Sequence, residues 1–240
     1  MKTSRFLLNS LLFAFMIAFL NSCLTNEDPG PLQESEQEYS ILDFNRLEMG
    51  DALNVSVEQG SIFSVKARGD RRNLDDLEVK KLGNTLRMRF VNDNHKDRQY
   101  TTYVTITMPA IEGALFSGAV TSKITGFTSE GKFDMTLSGA SKSQVSINAD
   151  ALDLDLSGAS EMNVSGTSSS LEATVSGASE LRGYDLETET ATVVASGASR
   201  IRILVTKQLV ASASGASDIR YRGTPTLNTT TSGASSIGQD

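Results

Sequence analysis

Seven serines in this chain stand where a nucleophile could stand. Ser117, Ser138, Ser157, Ser176, Ser196, Ser214 and Ser232 each open a Ser-Gly-Ala triplet, and all but the first continue as Ser-Gly-Ala-Ser, with Val120 closing the first. Hydrolysis at such a serine needs one activated hydroxyl with a histidine and an acid beside it. Here the seven serines are equivalent and the chain has a single histidine, His95. The triplets recur at intervals of 21, 19, 19, 20, 18 and 18 residues, and a fixed period of that size is the mark of a repeat architecture. The motif therefore reads as a corner. Glycine supplies backbone angles closed to other residues, alanine fits a crowded bend, and serine hydroxyls bond neighbouring backbone groups or one another.

Two columns of charge between the corners carry the remaining chemistry. Counted from the first serine of each unit, Asp134, Asp153 and Glu172 share position minus four in three successive units, and Asp155 lies two residues along the same face. Carboxylates stacked one rung apart repel, so this column could hold a cation or a proton, or supply the acidic pair of a polysaccharide-cleaving enzyme. Its plain alternative is a solvated acidic face. Arg182, Arg202 and Arg220 share position plus six in later units, with Arg222 adjacent. A line of guanidinium groups suits the carboxylates, sulfates or phosphates of an extended anionic glycan. Glu180 and Asp218, two residues earlier, offer the alternative of local and cross-rung ion pairs. His95 sits in the charged run Asn92-Asp93-Asn94-His95-Lys96-Asp97, where a lone histidine is ordinarily solvated, and the run lacks the glycine of a calcium loop. No zinc-ligand cluster, phosphate-cradling loop or other cofactor motif is present.

The elements that would position these columns are short strands. Phe133, Leu152, Leu171, Ala191 and Leu209 stand five places before the motif, Met135, Leu154, Ala173, Val193 and Ala211 three before, and Leu137, Leu156, Val175, Ala195 and Ala213 one before. Polar residues alternate between them, the period-two pattern of a half-buried strand. A second strand follows the motif, with Met162, Leu181, Ile201 and Ile219 at plus five. One unit cannot close a core, but stacked units bury the columns and pair each strand with its equivalent. The expected fold is all-β, a right-handed parallel β-helix over residues 111–240, with rungs ~4.8 Å apart. The core columns fade to Thr229 and Thr231 at the C-terminal end, as a polar cap would. Residues 39–110 form a β-rich, non-repetitive N-terminal portion: Leu53 to Val57, Phe63 to Ala67, Leu77 to Val79, Leu86 to Val91 and Tyr103 to Met108 follow strand patterns, with turns at Gln59-Gly60 and Gly83-Asn84.

The N-terminus carries an address. Lys2 and Arg5 precede an apolar stretch from Phe6 to Leu20, fifteen residues against the roughly 20 needed to span a bilayer, so residues 1–22 read as a cleaved signal peptide. The only cysteine, Cys23, follows in Leu20-Asn21-Ser22-Cys23, which resembles a lipobox with Ser22 as the small residue before the cut. Lipidation of Cys23 would hold the chain on a membrane without a spanning helix. Residues 23–38 are polar and acidic, with Pro29, Gly30 and Pro31, and read as a flexible tether. Loss of Lys2 and Arg5 takes the net charge from −7 to −9, which argues against nucleic acid as a partner.

The lipobox, acidic tether, alternating strands ending near Met108-Pro109 and Ser-Gly-Ala-Ser coils together resemble the Bacteroidetes lipoprotein family described as putative auto-transporter adhesin, head GIN domain, a domain of unknown function. The resemblance covers residues 40–237 and implies a β-helix in the cell envelope; with lipidated Cys23 followed by Leu24, the expected location is the outer membrane, with its periplasmic or surface orientation open. It transfers no binding residues. The reading that follows is a non-catalytic, lipid-anchored protein presenting a β-helix to a glycan or another surface component, with Arg182, Arg202, Arg220 and Arg222 as ligand-binding candidates. Two alternatives stay open. A carbohydrate-active enzyme would use Asp153, Asp155 or a neighbouring carboxylate, although coils of 18–21 residues leave little room for loops and the chain has no tryptophan. A structural or assembly role would show as self-association into a homo-oligomer.

Overall fold

The computed structural model describes residues 30–92 and 98–240. The signal segment, Cys23 and His95 lie outside the described residues. The unit formed by Gln33–Asn92 and Tyr100–Asp240 holds all the regular elements given below, while 30–32 and 98–99 carry none.

In chain order these are β1 (Glu34–Tyr39), β2 (Arg46–Met49), β3 (Asn54–Gln59), β4 (Ser64–Asp70), α1 (Arg71–Asp75), β5 (Leu77–Leu82), β6 (Thr85–Phe90), β7 (Tyr103–Met108) and β8 (Gly113–Phe116). Five long strands follow: β9 (Thr121–Leu137), β10 (Lys142–Leu156), β11 (Glu161–Val175), β12 (Glu180–Ala195) and β13 (Arg200–Ala213). The series ends with β14 (Asp218–Arg222), β15 (Thr226–Thr231) and β16 (Ser236–Gln239). Each long strand pairs in parallel with the one before and the one after, column on column: Leu152 lies between Phe133 and Leu171, and Asp153 between Asp134 and Glu172. This is the expected β-solenoid. A long strand spans two faces of its coil, as its ends show: β9 pairs β3 over Thr121 to Thr125 and β8 over Asp134 to Leu137.

The Ser-Gly-Ala-Ser units are the corners between successive long strands. Their glycines all have positive φ, from 73° at Gly139 to 80° at Gly118. A β-carbon on Gly139, Gly158 or Gly177 would come within 2.4–2.5 Å of the glycine oxygen one coil earlier. That same oxygen accepts the N–H of the next coil's alanine, as in Ala159 to Gly139 at 2.7 Å and Ala178 to Gly158 at 2.8 Å. Glycine is thus required twice, for its φ and for its lack of a side chain. The closing serines from Ser141 to Ser217 are buried, and hydroxyls among them donate to backbone carbonyls: Ser141 to Ser138 at 2.9 Å, Ser160 to Ser157 at 2.8 Å and Ser199 to Val175 at 3.0 Å. The alanines differ from expectation. Ala140, Ala159, Ala178, Ala198 and Ala216 are exposed at the apex, so their small size gives a smooth outer edge and relieves no internal crowding.

The core runs continuously through the stack, lined by the columns read from the sequence. In the first two repeats Ser122 and Ser143 take the place that Met162 and Leu181 fill later, and they satisfy each other inside the core at 2.8 Å. At the C-terminal end Thr229 and Thr231 of β15 are exposed, as in a polar last rung, although Leu227 beside them is an exposed apolar residue.

The N-terminal residues belong to the same stack. Parallel pairs β3–β7 and β3–β9 extend one face, and β2–β6 and β2–β8 extend the other. Pairing and core therefore run across residue 110, where the repeat pattern begins. Beyond these coils the direction reverses: β4 is antiparallel to β7, β1 to β4, and β5 to β6. The outermost strands carry Glu34, Glu36 and Glu38 or Lys80 and Lys81 outward, charges that discourage further edge pairing. Two features depart from the sequence reading. The segment read as a tether, 23–38, overlaps β1 from Glu34 onward, where Ser35, Gln37 and Tyr39 form the half-buried side of the strand. The short helix α1 was not foreseen; Asp70 caps it, accepting the Arg72 N–H at 3.0 Å.

Candidate functional site

The outward columns of the first face bring the predicted arginines together. Asn163, Arg182, Arg202 and Arg220 occupy equivalent places on β11, β12, β13 and β14, and Gln144 precedes them on β10. Arg222 projects from the next outward place along β14. Parallel stacking is what turns residues 18–20 apart in sequence into neighbours one rung apart.

Each of these guanidinium groups is engaged by a carboxylate. Arg182 donates to Glu161 on the preceding rung and to Glu180 on its own strand, at 2.6 Å for the latter. Arg202 also donates to Glu180, Arg220 pairs with Asp218 at 3.0 Å, and Arg222 pairs with Asp240 at 3.3 Å. Burial alone would raise the Glu180 carboxyl, but bonds and charge from Arg182 and Arg202 outweigh it and hold the group below the usual glutamate range. Asp218 behaves alike: burial opposes ionisation, and Ser236 and Arg220 overcome it. The strip is therefore a lattice of fixed, mutually neutralised charges.

Tyr184 adds a feature that residue types alone concealed. Arg222 lies over its ring, 4.0 Å from the centroid, and its hydroxyl donates to Asp240 at 3.0 Å. Burial first, and then the bond to Asp240, raise the phenol above its usual pKa. A groove of about 280 Å³ runs beside it, walled by Gln144, Asn163, Arg182, Tyr184, Asp185 and Arg202. The signal for this irregularity was the spacing, since a 20-residue unit is followed by one of 18.

The acidic column lies on the second face. Asp134, Asp153 and Glu172 stack in register, with Asp155 beside Thr136 and Thr174. Asp134 receives a bidentate bond from Arg46 of β2, at 2.9 and 2.5 Å. Gly113 makes room for it, since a β-carbon there would lie 2.6 Å from the guanidinium. Asp153 pairs with Lys132 at 2.7 Å, a bond that raises the lysine pKa. Among the described residues, no group of three or more histidine, cysteine or acidic side chains could hold a metal ion. A shallow groove of about 460 Å³ passes Lys132, Asp153 and Glu172.

A family model described as "Putative auto-transporter adhesin, head GIN domain" matches residues 43–225. The chain is similar in structure to a putative adhesin of Bacteroides fragilis NCTC 9343, with a TM-score of 0.78 and 20% identity over 87% of this chain and 97% of that one. It is similar to a putative adhesin of Parabacteroides distasonis ATCC 8503, with a TM-score of 0.70 and 15% identity over 88% and 98%. A third likeness is to a putative lipid binding protein of the same organism, with a TM-score of 0.66 and 18% identity over 86% and 96%. These likenesses show a shared fold. No curated protein matches the chain.

Proposed function

The chain belongs to the family described as "Putative auto-transporter adhesin, head GIN domain", and on that premise we propose that it is a non-catalytic envelope protein that binds a partner through the first face of its solenoid. In this reading Cys23 carries the lipid that holds the mature chain on the outer membrane, and the partner is a glycan or another surface component. The observation that carries the reading is the alignment of Arg182, Arg202 and Arg220 on adjacent rungs of one rigid exposed face. Such a lattice offers the same donor group at a regular interval of ~4.8 Å, which suits an extended partner with repeating groups. The ion pairs orient the guanidinium planes before binding, which reduces the entropy lost on association. The corner serines support a non-catalytic reading: the closing Ser141, Ser160 and Ser217 spend their hydroxyls on the carbonyls of their own opening serines, and the opening Ser157 and Ser176 direct theirs to the Leu137 and Leu156 carbonyls.

Membrane fractionation and a glycan array test it together. The wild-type chain should partition with outer membranes and the Cys23→Ser variant should be released. The released protein should bind a subset of glycans on the array and leave them chemically intact. Arg202→Glu, which sets a carboxylate against Glu180, should weaken that binding by at least tenfold. Cleavage of a bound glycan would overturn the non-catalytic reading, and unchanged binding by Arg202→Glu would remove the arginine face from it.

A further inference from the structure

We infer that the groove beside Tyr184 is a saccharide subsite that takes one neutral sugar ring, a deepening that rests on the binding reading above. The groove lies where the register between neighbouring coils shifts. β12 follows β13 residue by residue as far as Gly183 opposite Ile203, and pairing resumes only at Glu187 opposite Leu204. Tyr184, Asp185 and Leu186 thereby have no partner on β13, while on the other side Asp185 and Leu186 still pair Ser165 and Gly166 of β11, which leaves Tyr184 as the one extra residue there. Gly183 permits the departure: it is buried in a column filled by Val145, Val164 and Ile203 in other coils, and a β-carbon there would lie 3.2 Å from Val164 and 3.3 Å from the Arg202 carbonyl. Leu186 turns into the core and pins the bulge, whereas Asp185 is exposed. A bulge that re-aims side chains next to a binding surface is a common functional device in sheets.

The side chains around the groove form a complementary set. Gln144 and Asn163 present two amides one rung apart, and neither makes a side-chain hydrogen bond among the described residues. Elsewhere on the solenoid an amide of this kind is used internally, as where Asn148 accepts from both the N–H and the hydroxyl of Thr167. Arg182 and Arg202 add planar donors whose orientation is already set by Glu180, and a guanidinium with five N–H groups keeps donors to spare after such pairing. Asp185 supplies an acceptor. Sugar hydroxyls donate and accept at once, so adjacent amide, guanidinium and carboxylate groups suit a vicinal pair of them. Tyr184, held by Arg222 and Asp240, adds an immobilised aromatic ring against which the C–H face of a pyranose can pack.

Size and charge narrow the class. Pockets for small molecules hold about 300–1,000 Å³, and this groove, at about 280 Å³, suits a single ring with the rest of a chain lying along the face. The guanidinium charges at the groove are matched by Glu161, Glu180 and Asp240. An anionic sugar would have to displace or face those carboxylates; a neutral one uses the donors they leave free.

The test uses the full-length chain and an array carrying neutral oligosaccharides of glucose, mannose, galactose and N-acetylglucosamine beside sulfated and uronic-acid oligosaccharides. Positives are followed by titration calorimetry on wild type, Tyr184→Ala and Asn163→Ala; the second variant removes only an exposed amide and leaves the fold intact. Loss of at least tenfold in affinity for a neutral oligosaccharide in both variants, with unchanged melting temperature in Asn163→Ala, is the expected result. Neutral binding that survives both substitutions overturns the subsite while leaving the binding function standing. Binding restricted to anionic oligosaccharides and abolished by Arg202→Glu also overturns the subsite and keeps the arginine reading. If no oligosaccharide of either class binds, the subsite falls and the binding reading keeps only a partner that is not a saccharide.

Discussion

Replacing Gly177 by alanine isolates the contribution of the corner ladder, provided Gly83 and Gly131 are replaced in parallel. Gly177 and Gly83 both have positive φ, 73° and 61°. At Gly83 a β-carbon meets nothing within 4 Å, whereas at Gly177 it comes 2.5 Å from the Gly158 oxygen and 3.2 Å from the Gly158 nitrogen. Both variants therefore bear the left-handed penalty, about 1–2 kcal/mol for a residue with a β-carbon. Gly177→Ala must in addition push away an oxygen that accepts the Ala178 N–H at 2.8 Å. Overpacking costs about 1–3 kcal/mol, and a weakened backbone bond adds about 1 kcal/mol. The expected loss is about 3–6 kcal/mol for Gly177→Ala against about 1–2 kcal/mol for Gly83→Ala. Gly131→Ala, with neither a positive φ nor a neighbour within 4 Å, should be neutral or slightly stabilising. For a domain of this size each kcal/mol moves the melting temperature by about 2–4 °C, so calorimetry and urea denaturation both resolve the series. Equal losses at Gly177 and Gly83 would refute the stacking argument and leave φ as the whole reason for glycine at the corners.

Ser199→Ala removes a buried hydroxyl that donates to the Val175 carbonyl and should cost about 1–2 kcal/mol by urea denaturation, while Ala198→Ser at the exposed apex should stay within about 0.5 kcal/mol. Asp70 is 1% exposed, and Arg72 first, with the Gln33 and Arg72 N–H groups, holds its carboxyl far below the usual aspartate range. A depressed folded pKa gives stability that is present above the unfolded value of about 4 and is lost as pH falls through the folded one. The wild-type urea midpoint should accordingly fall on going from pH 7 to pH 3 by more than that of Asp70→Asn. The Arg46–Asp134 pair is about one-third exposed on both sides, so solvent screening should limit the loss in Asp134→Asn to about 1 kcal/mol or less. That loss should shrink between 0.05 and 0.5 M salt, taken as about a low and a high extreme of screening.

The repeat was legible because it obeys period two between fixed corners, and every core column named from Phe133 to Ala213 lies inside. The arginine and carboxylate ladders were legible for the same reason, since equal spacing from a corner becomes adjacency in a parallel stack. What stayed hidden depends on contacts that no spacing encodes. Arg46 reaches Asp134 only because β2 pairs β8 and β8 pairs β9. The inward side of β1 is Ser35, Gln37 and Tyr39, which a hydrophobic pattern does not register beside three glutamates. At Tyr184 the 20-residue unit before one of 18 marks an irregularity, but the capture of its ring by Arg222 and its hydroxyl by Asp240 is not encoded in that spacing.

The placement of β3 between β7 and β9 governs the order in which the chain can assemble. Residues 46–59 form a coil whose neighbours on either side come from segments synthesised later, with residues 60–112 intervening before β8 and β9 return to it. Each long strand from β10 onward needs only its immediate predecessor, a local step of about one repeat, so growth there can proceed by templating. Closing the N-terminal coils requires a much longer loop and sets the slow step, because non-local pairing must bear its closure entropy before any contact rewards it. A chain emerging vectorially into the envelope would therefore wait for Thr121 before its first coils are covered on both sides, and then lengthen coil by coil toward Gln239.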